Sequence, residues 1–273
     1  MLISKREVKE LSADVRKIID GQNIDVRDNR EGVWGMLKND IHTLANHKNE
    51  QLNELGRDYK AMADTLVNIS HQLKTPLTSA IIMADLLEDA PPDKQAEFIA
   101  NIKIGLTRMQ WLVSEILKMA KLDAGVVEFL RESTQSALLA DLALEPLQIL
   151  LDVKNQKVEV LCETEIFCDK HWTAEALANV IKNASEYSPE GGSIRVESGS
   201  NPICSWISVT DSGQGIGKAE IVSLFKRFEG SRSGKGYGIG LPLALAIMRG
   251  QNGDIEVEGG GNGKGATLTL KFY

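Results

Sequence analysis

The sequence predicts two parts of different kinds: a long helical half, then a compact half whose strands and helices imply an α/β or α+β layer structure. Three observations carry this. A heptad-spaced apolar seam runs from Leu37 to Leu73, and a second helical seam runs from Phe98 to Ala120. From about Val126 onward, short alternating runs of the kind that form strands replace both.

The elements follow in chain order. Val8, Leu11, Val15 and Ile18 form one apolar seam of a helix, and a polar break, GQNIDVRDNREG, follows at 21–32. Leu37, Ile41, Leu44, Lys48, Leu52, Leu55, Tyr59, Met62, Leu66, Ile69 and Leu73 then hold a heptad step with one four-residue stutter around Lys48. A helix this long cannot bury its stripe alone, so a parallel partner chain is the natural solution. The stretch DAPPDK at 89–94 breaks the pattern before the second seam begins. Two amphipathic helices joined by a short turn make a hairpin, and two hairpins make a four-helix bundle. The hairpin ends near LDAG, 122–125, with Gly125 placed to cap it. Beyond it, strands are expected at VEVL near 158, SIRVE at 193, WISVTD at 206, DIEVE at 254 and ATLTLKF at 266. Helices are expected at about 134–153, 172–187 and 239–250.

Composition narrows the class. Hydrophobic content of 42% and charged content of 25% are ordinary for a soluble protein. A net charge of −7 argues against nucleic acid as a partner, which would need a basic stripe. Cys162, Cys168 and Cys204 are odd in number and widely spaced, so neither a disulfide framework nor a zinc site is expected, and a reducing setting fits best. No run reaches the roughly 18 apolar residues of a membrane span, and MLISKREVKE lacks the apolar core of a secretory signal.

The stretch SHQLKTPLTS, 70–79, carries the first chemical signal. With Ile69 and Leu73 in the seam, His71 lies about 200° from each and faces solvent beside Thr75. Pro76 cannot bond the Gln72 carbonyl, which kinks or loosens the helix there. Taken alone, His71 reads as a surface histidine beside a tolerated kink. The C-terminal half changes that balance. Asn179 and Asn183 share one helix face, a strand runs into Asp211 and a glycine-rich turn, and GKGYGIG opens a further helix. Glycines let backbone approach phosphate closely, helix N-termini favour anions, and amide oxygens suit a hard cation such as Mg²⁺.

With these residues in view, the chain resembles the sensor histidine kinases of two-component systems over nearly its whole length. SHQLKTPLTS resembles the phospho-acceptor H-box, NVIKNASEYS the N-box, DSGQGIG the G1 box, LFKRF the F-box, GYGIGL the G2 box and GKGATLTL the final glycine box. The resemblance implies three parts. Residues 1–57 would be a HAMP-like linker, 58–125 the dimerisation and histidine-phosphotransfer hairpin, and 126–273 an ATP-binding α/β two-layer sandwich of the Bergerat (GHKL) fold. It implies a homodimer that uses ATP and Mg²⁺, with a response-regulator receiver domain as partner. It also implies a cytoplasmic setting, with membrane contact only through segments upstream.

Residue by residue, the resemblance makes His71 the nucleophile toward the γ-phosphate. Asn183 would hold Mg²⁺, with Asn179 beside it, and Asp211 would read the adenine amino group. Gly213, Gly215 and Gly217 would shape that pocket, and Tyr187 would lie along the nucleotide. Gly236, Gly238 and Gly240 would pass the phosphates, while Arg227 would face them from a lid anchored by Phe225 and Phe228. Thr75 would orient water toward a phosphorylated regulator. Two departures stand out: Gln72 follows the histidine where an acid is usual, and Glu186 stands where a lysine is common. Without a carboxylate at 72 the loss of general-base help is about 10²- to 10⁴-fold, so autophosphorylation is expected to be slow or stimulus-dependent. Two other outputs fit the same motifs, a mainly phosphatase enzyme and a nucleotide-binding scaffold with weak transfer.

Overall fold

Internal contacts divide the chain into two units, 1–67 and 68–273. The structure, a computed structural model, describes residues 4–20, 22, 24–27, 32–88, 90–221, 223–228, 238–260 and 265–273. Gly236, expected at the phosphates, and Gly263 and Lys264 at the start of the final glycine box lie outside the described residues.

In the first unit, α1 (Lys5–Ile19) opens with a capping box. The Ser4 hydroxyl accepts the Glu7 N–H at 3.2 Å, and the Glu7 carboxylate accepts the Ser4 N–H at 2.9 Å, so two amides the helix cannot satisfy itself are paired. Leu11 of α1 is buried, as is Val26 of the extended connector. The long helix α2 (Val33–Glu88) belongs to both units, and in the first its apolar residues stay outside any core. Leu44, Leu52, Leu55, Tyr59, Met62 and Leu66 are each more than half exposed.

The second unit begins with the hairpin. α2 continues through Pro76, and the Thr75 hydroxyl donates to the His71 carbonyl at 3.3 Å. α3 (Pro92–Asp123) starts on a proline, whose missing N–H costs nothing in a first turn. A Cβ on Gly105 of α3 would lie 3.4 Å from the Pro76 carbonyl oxygen, so the two helices approach closely at the proline. The expected cap at Gly125 is present. Gly125 has φ +63°, its N–H reaches the Leu122 carbonyl at 3.0 Å, and the Val126 N–H reaches that of Lys121 at 3.3 Å, a Schellman closure.

The remaining elements are β1 (Arg131–Gln135), α4 (Ser136–Leu144), a short 3₁₀ turn (Glu145–Leu147), α5 (Gln148–Val153), β2 (Lys157–Leu161), β3 (Glu165–Asp169) and α6 (Lys170–Tyr187). After them come β4 (Ser193–Ser200), β5 (Ser205–Thr210), α7 (Lys218–Ile221), α8 (Gly240–Gly250), β6 (Gly253–Gly259) and β7 (Ala266–Phe272). Five strands form a mixed sheet in the order β2-β4-β5-β7-β6, with only the β2–β4 pair parallel. The period of two places Ile194, Val196, Ile207, Val209, Leu268 and Leu270 on one buried face. Register aligns Val196 with Val209, and Ile207 with Leu270. Helices α4, α6 and α8 pack beside one another, and Leu139, Leu177, Ile181, Leu243 and Ile247 join the strand residues in one core. This is the expected two-layer sandwich. Leu112 and Met119 of α3 enter the same core, so the hairpin and the sandwich share it.

Candidate functional site

The N-box helix α6 is fixed at its start. Asp169 caps it, one carboxylate oxygen accepting from the His171 and Trp172 N–H groups at 3.0 and 3.1 Å and the other from the Leu130 N–H at 2.9 Å. The Asp169 N–H donates to the Gln251 side chain at 2.6 Å, which ties the cap to the segment after α8. Held in this way, α6 turns Ala176, Leu177, Val180 and Ile181 into the core. Its other face, with Asn179, Lys182, Asn183, Glu186 and Tyr187, lines a cleft of about 2040 Å³.

Asn179 is buried and donates its amide N–H to the Glu175 carbonyl at 3.0 Å. Its oxygen points toward the first residue of α8, where a Cβ on Gly240 would lie 2.8 Å away. Glycine is therefore what lets the start of α8 reach the asparagine. Gly238, Ile239, Gly240 and Leu241 bring that helix N-terminus to the cleft wall, a place suited to phosphate.

Another part of the cleft wall is built on Asp211, just past β5. Its carboxylate is buried and accepts the Gly213 N–H at 2.7 Å. Burial raises its pKa above the ordinary carboxylate value, while hydrogen bonds from the Gly213 and Ala266 backbone pull the other way. A side chain on Gly213 would meet the Tyr187 carbonyl at 2.6 Å. Gly265 (φ +69°) closes the turn from the far side, its N–H donating to the Gly213 carbonyl at 3.0 Å, and a Cβ there would overlap the Asp211 carbonyl. Gly265 was not among the candidate residues, though the glycine box GKGATLTL contains it.

The structure brings Asn179, Asn183, Tyr187, Asp211, Gly215, Gly238 and Gly240 to one cleft, with Gln72 and Thr75 of α2 on its hairpin wall. Gly213 supports Asp211 from beneath, and Gly217 donates its N–H to the Glu220 carboxylate at 3.0 Å; neither lines the cleft. His71 is exposed in an adjoining hollow of about 450 Å³ that shares Thr75, Ser79 and Met83 with the cleft. Arg227 is not brought to the cleft. Its guanidinium makes a two-pronged ion pair with Asp123 at the end of α3, at 2.6 and 2.7 Å. Phe225 and Phe228 pack against the core, and the Phe228 N–H donates to the Gly238 carbonyl at 2.9 Å. Spacing could not have revealed the share of the lining that comes from α3, Arg108 and Trp111 among it.

Among the described residues no cluster of three His, Cys, Asp or Glu side chains could hold a metal by itself. The donor set nevertheless fits Mg²⁺ arriving with a nucleotide, since that ion takes few protein ligands and fills its shell from phosphate and water. Asn183 would supply the protein oxygen, and the ion would neutralise phosphate charge.

The hairpin thus exposes a histidine, and the α/β sandwich carries an asparagine- and glycine-lined cleft whose wall the hairpin shares. Two family models match these modules: the His Kinase A (phospho-acceptor) domain over residues 61–125, and the histidine kinase-, DNA gyrase B- and HSP90-like ATPase over 168–273. The chain belongs to the sensor histidine kinases of two-component systems. It is 28% identical over 170 residues to the sensor histidine kinase WalK of Bacillus subtilis, matching 60% of this chain and 28% of that protein. Among solved structures, the histidine kinase AdeS of Acinetobacter baumannii superposes with a TM-score of 0.63 at 22% identity, covering 74% of this chain and 96% of that one. The histidine kinase ThkA, in a complex with the response regulator protein TrrA, gives 0.61 at 19% identity, covering 82% and 65%. At such identities the structures speak for the fold alone. The chain spans between about a quarter and a half of the curated relatives it matches first.

Proposed function

We propose that this chain is the catalytic portion of a sensor histidine kinase, which transfers the γ-phosphoryl group of ATP to His71 and then to an aspartate of a response regulator. One observation carries the reading: a single cleft is walled on one side by Asn179, Asn183 and Asp211 and on the other by Gln72, Thr75 and Pro76 of the helix that bears His71. In the transfer, the lone pair of an imidazole nitrogen attacks phosphorus. The bond from phosphorus to the β–γ bridging oxygen breaks, and ADP leaves. The phosphorylated ring keeps the proton on its other nitrogen, and the Gln72 amide can accept a hydrogen bond from that N–H but cannot take up the proton as a carboxylate could.

The partners follow from the same reading. The exposed apolar stripe of α2 supports a parallel homodimer, and the ThkA–TrrA complex supports a receiver domain as the acceptor. Residues 1–57, helix, connector and helix, would act as a HAMP-like linker that relays a signal from membrane segments upstream. Among the described residues no helix is long and apolar enough to cross a membrane, and a gene with no span encoded upstream would sink that part. Incubation with Mg²⁺ and γ-labelled ATP tests the core reading. Acid-labile label is expected on the parent, none on His71→Ala, and about 10²-fold faster labelling of Gln72→Glu. ATP binding without label in any of the three would leave a scaffold or phosphatase instead.

A further inference from the structure

The cleft-facing side of α6 offers more than two asparagines. Lys182 and Glu186, one turn apart, line the same cleft. Glu186 sets negative charge where phosphates are to be held, so a cation nearby matters more than it would in a neutral cleft. The basic side chains lining it among the described residues are Arg108, Lys154 and Lys182. Lys154 already donates its amine to the Ser185 carbonyl at 2.5 Å. Arg108 lines the cleft from α3, three residues before Trp111, and Arg227 has its charge matched by Asp123 outside the lining.

Lys182 is held differently. Its ammonium lies 4.5 Å from the centroid of the Trp111 ring on α3. A ring face orients a cation without cancelling its charge, whereas a carboxylate partner cancels it. The nearby buried acid, Glu115, is matched by Lys118 at 2.9 Å. Lys182 therefore stands on the wall oriented by a ring face and in ion-pair contact with no carboxylate among the described residues, beside the two asparagines. We propose that Lys182 is the side chain that neutralises nucleotide phosphate charge in this cleft, offsetting Glu186, and that Trp111 of the hairpin is its positioning residue. The inference rests on the ATP reading above.

Affinity for Mg-ATP, Mg-ADP and adenosine, measured on the 273-residue chain, tests it. Lys182→Gln is expected to weaken Mg-ATP by about tenfold, the scale of one charge-assisted hydrogen bond, to weaken Mg-ADP less, and to leave adenosine unchanged. Lys182→Arg should stay within about threefold of the parent, because a guanidinium also stacks on indole. Trp111→Leu should weaken Mg-ATP by about threefold, the loss of one modest cation–π contact, again without touching adenosine. An equal loss for ATP and adenosine in Lys182→Gln would mark a structural role and overturn the proposal, as would an unchanged ATP affinity. A parent that binds adenosine and ATP alike would instead remove the ATP reading, and this inference with it.

Discussion

The two units of the chain treat apolar side chains in opposite ways. Between 68 and 273, Leu139, Leu177, Ile181, Leu243, Ile247 and Leu270 are fully enclosed by their own chain. Between 4 and 67 the described residues enclose little more than Leu11 and Val26, while a seam of regularly spaced large apolar residues faces outward along α2. The same heptad logic thus has two outcomes. Where a sheet and neighbouring helices are available, apolar periodicity makes a core; where they are not, it makes a surface that only another molecule can cover.

The largest effect should come from breaking the enclosed side of that comparison. Leu177→Ala removes a fully buried side chain between α6 and the sheet and is expected to cost about 2–5 kcal/mol, because the packed surroundings cannot close the cavity. Denaturant unfolding followed by intrinsic fluorescence would read it. Leu55→Ala on α2 is the counterpart. It should leave that transition in place and instead weaken self-association, seen as a lower sedimentation coefficient at a given concentration. A Leu55→Ala chain that unfolds earlier but associates normally would mean the stripe is covered within its own chain.

A middle-sized effect separates stability from function within the sandwich. The Asp211 carboxylate is buried with no cation beside it among the described residues, and burial raises its pKa. For a carboxyl whose folded pKa is raised, the fold binds the proton more tightly than the unfolded chain does. Its burial penalty is therefore absent below the ordinary carboxylate pKa, grows as pH rises through the interval up to the folded pKa, and is complete above it. Asp211→Asn keeps an oxygen for the Gly213 N–H and removes the charge. The variant is expected to melt at or above the parent's temperature at pH 7, with the gap closing near pH 3.5, while its ATP affinity falls by about tenfold or more through loss of a charged hydrogen bond. A variant destabilised at pH 7 would show that the carboxylate is held by favourable contacts.

Most of the architecture was legible before the structure, because it rests on periodicity. The five strands of the main sheet, the hairpin and the Gly125 cap all follow from apolar spacing and glycine placement. The two-stranded sheet of β1 and β3 was not legible. RESTQ alternates no large apolar residues, and EIFCD is too short for Ile166 and Cys168 to stand out, although both are fully buried. At the site, the ordered asparagine, aspartate and glycine motifs pointed to one cleft, since each marks a backbone demand that spacing preserves. Trp111, Arg108 and the Asp123 partner of Arg227 were illegible for the opposite reason. They depend on how α3 packs against the sandwich, a long-range arrangement that no local pattern encodes.

The smallest effect probes that packing. Arg227 and Asp123 meet in good two-pronged geometry, yet both side chains are more than a third exposed. Water competes for each charge, and an exposed pair of this kind is worth about 1 kcal/mol or less. Asp123→Asn should therefore lower the melting temperature by only a degree or two at low salt. The difference should fade at about 0.5 M salt, where screening shortens to a few ångströms. The deeper contacts of α3, with Leu112 and Met119 in the core and Lys118 bridging Glu115 and Glu175 at 2.9 and 2.8 Å, carry the docking. If the loss were several degrees and indifferent to salt, the Arg227–Asp123 pair would be a principal fastening of the sandwich to the hairpin. Releasing Arg227 toward a nucleotide would then be costly. A small, salt-sensitive loss means that the phosphates of a bound nucleotide can compete for Arg227 with little to overcome.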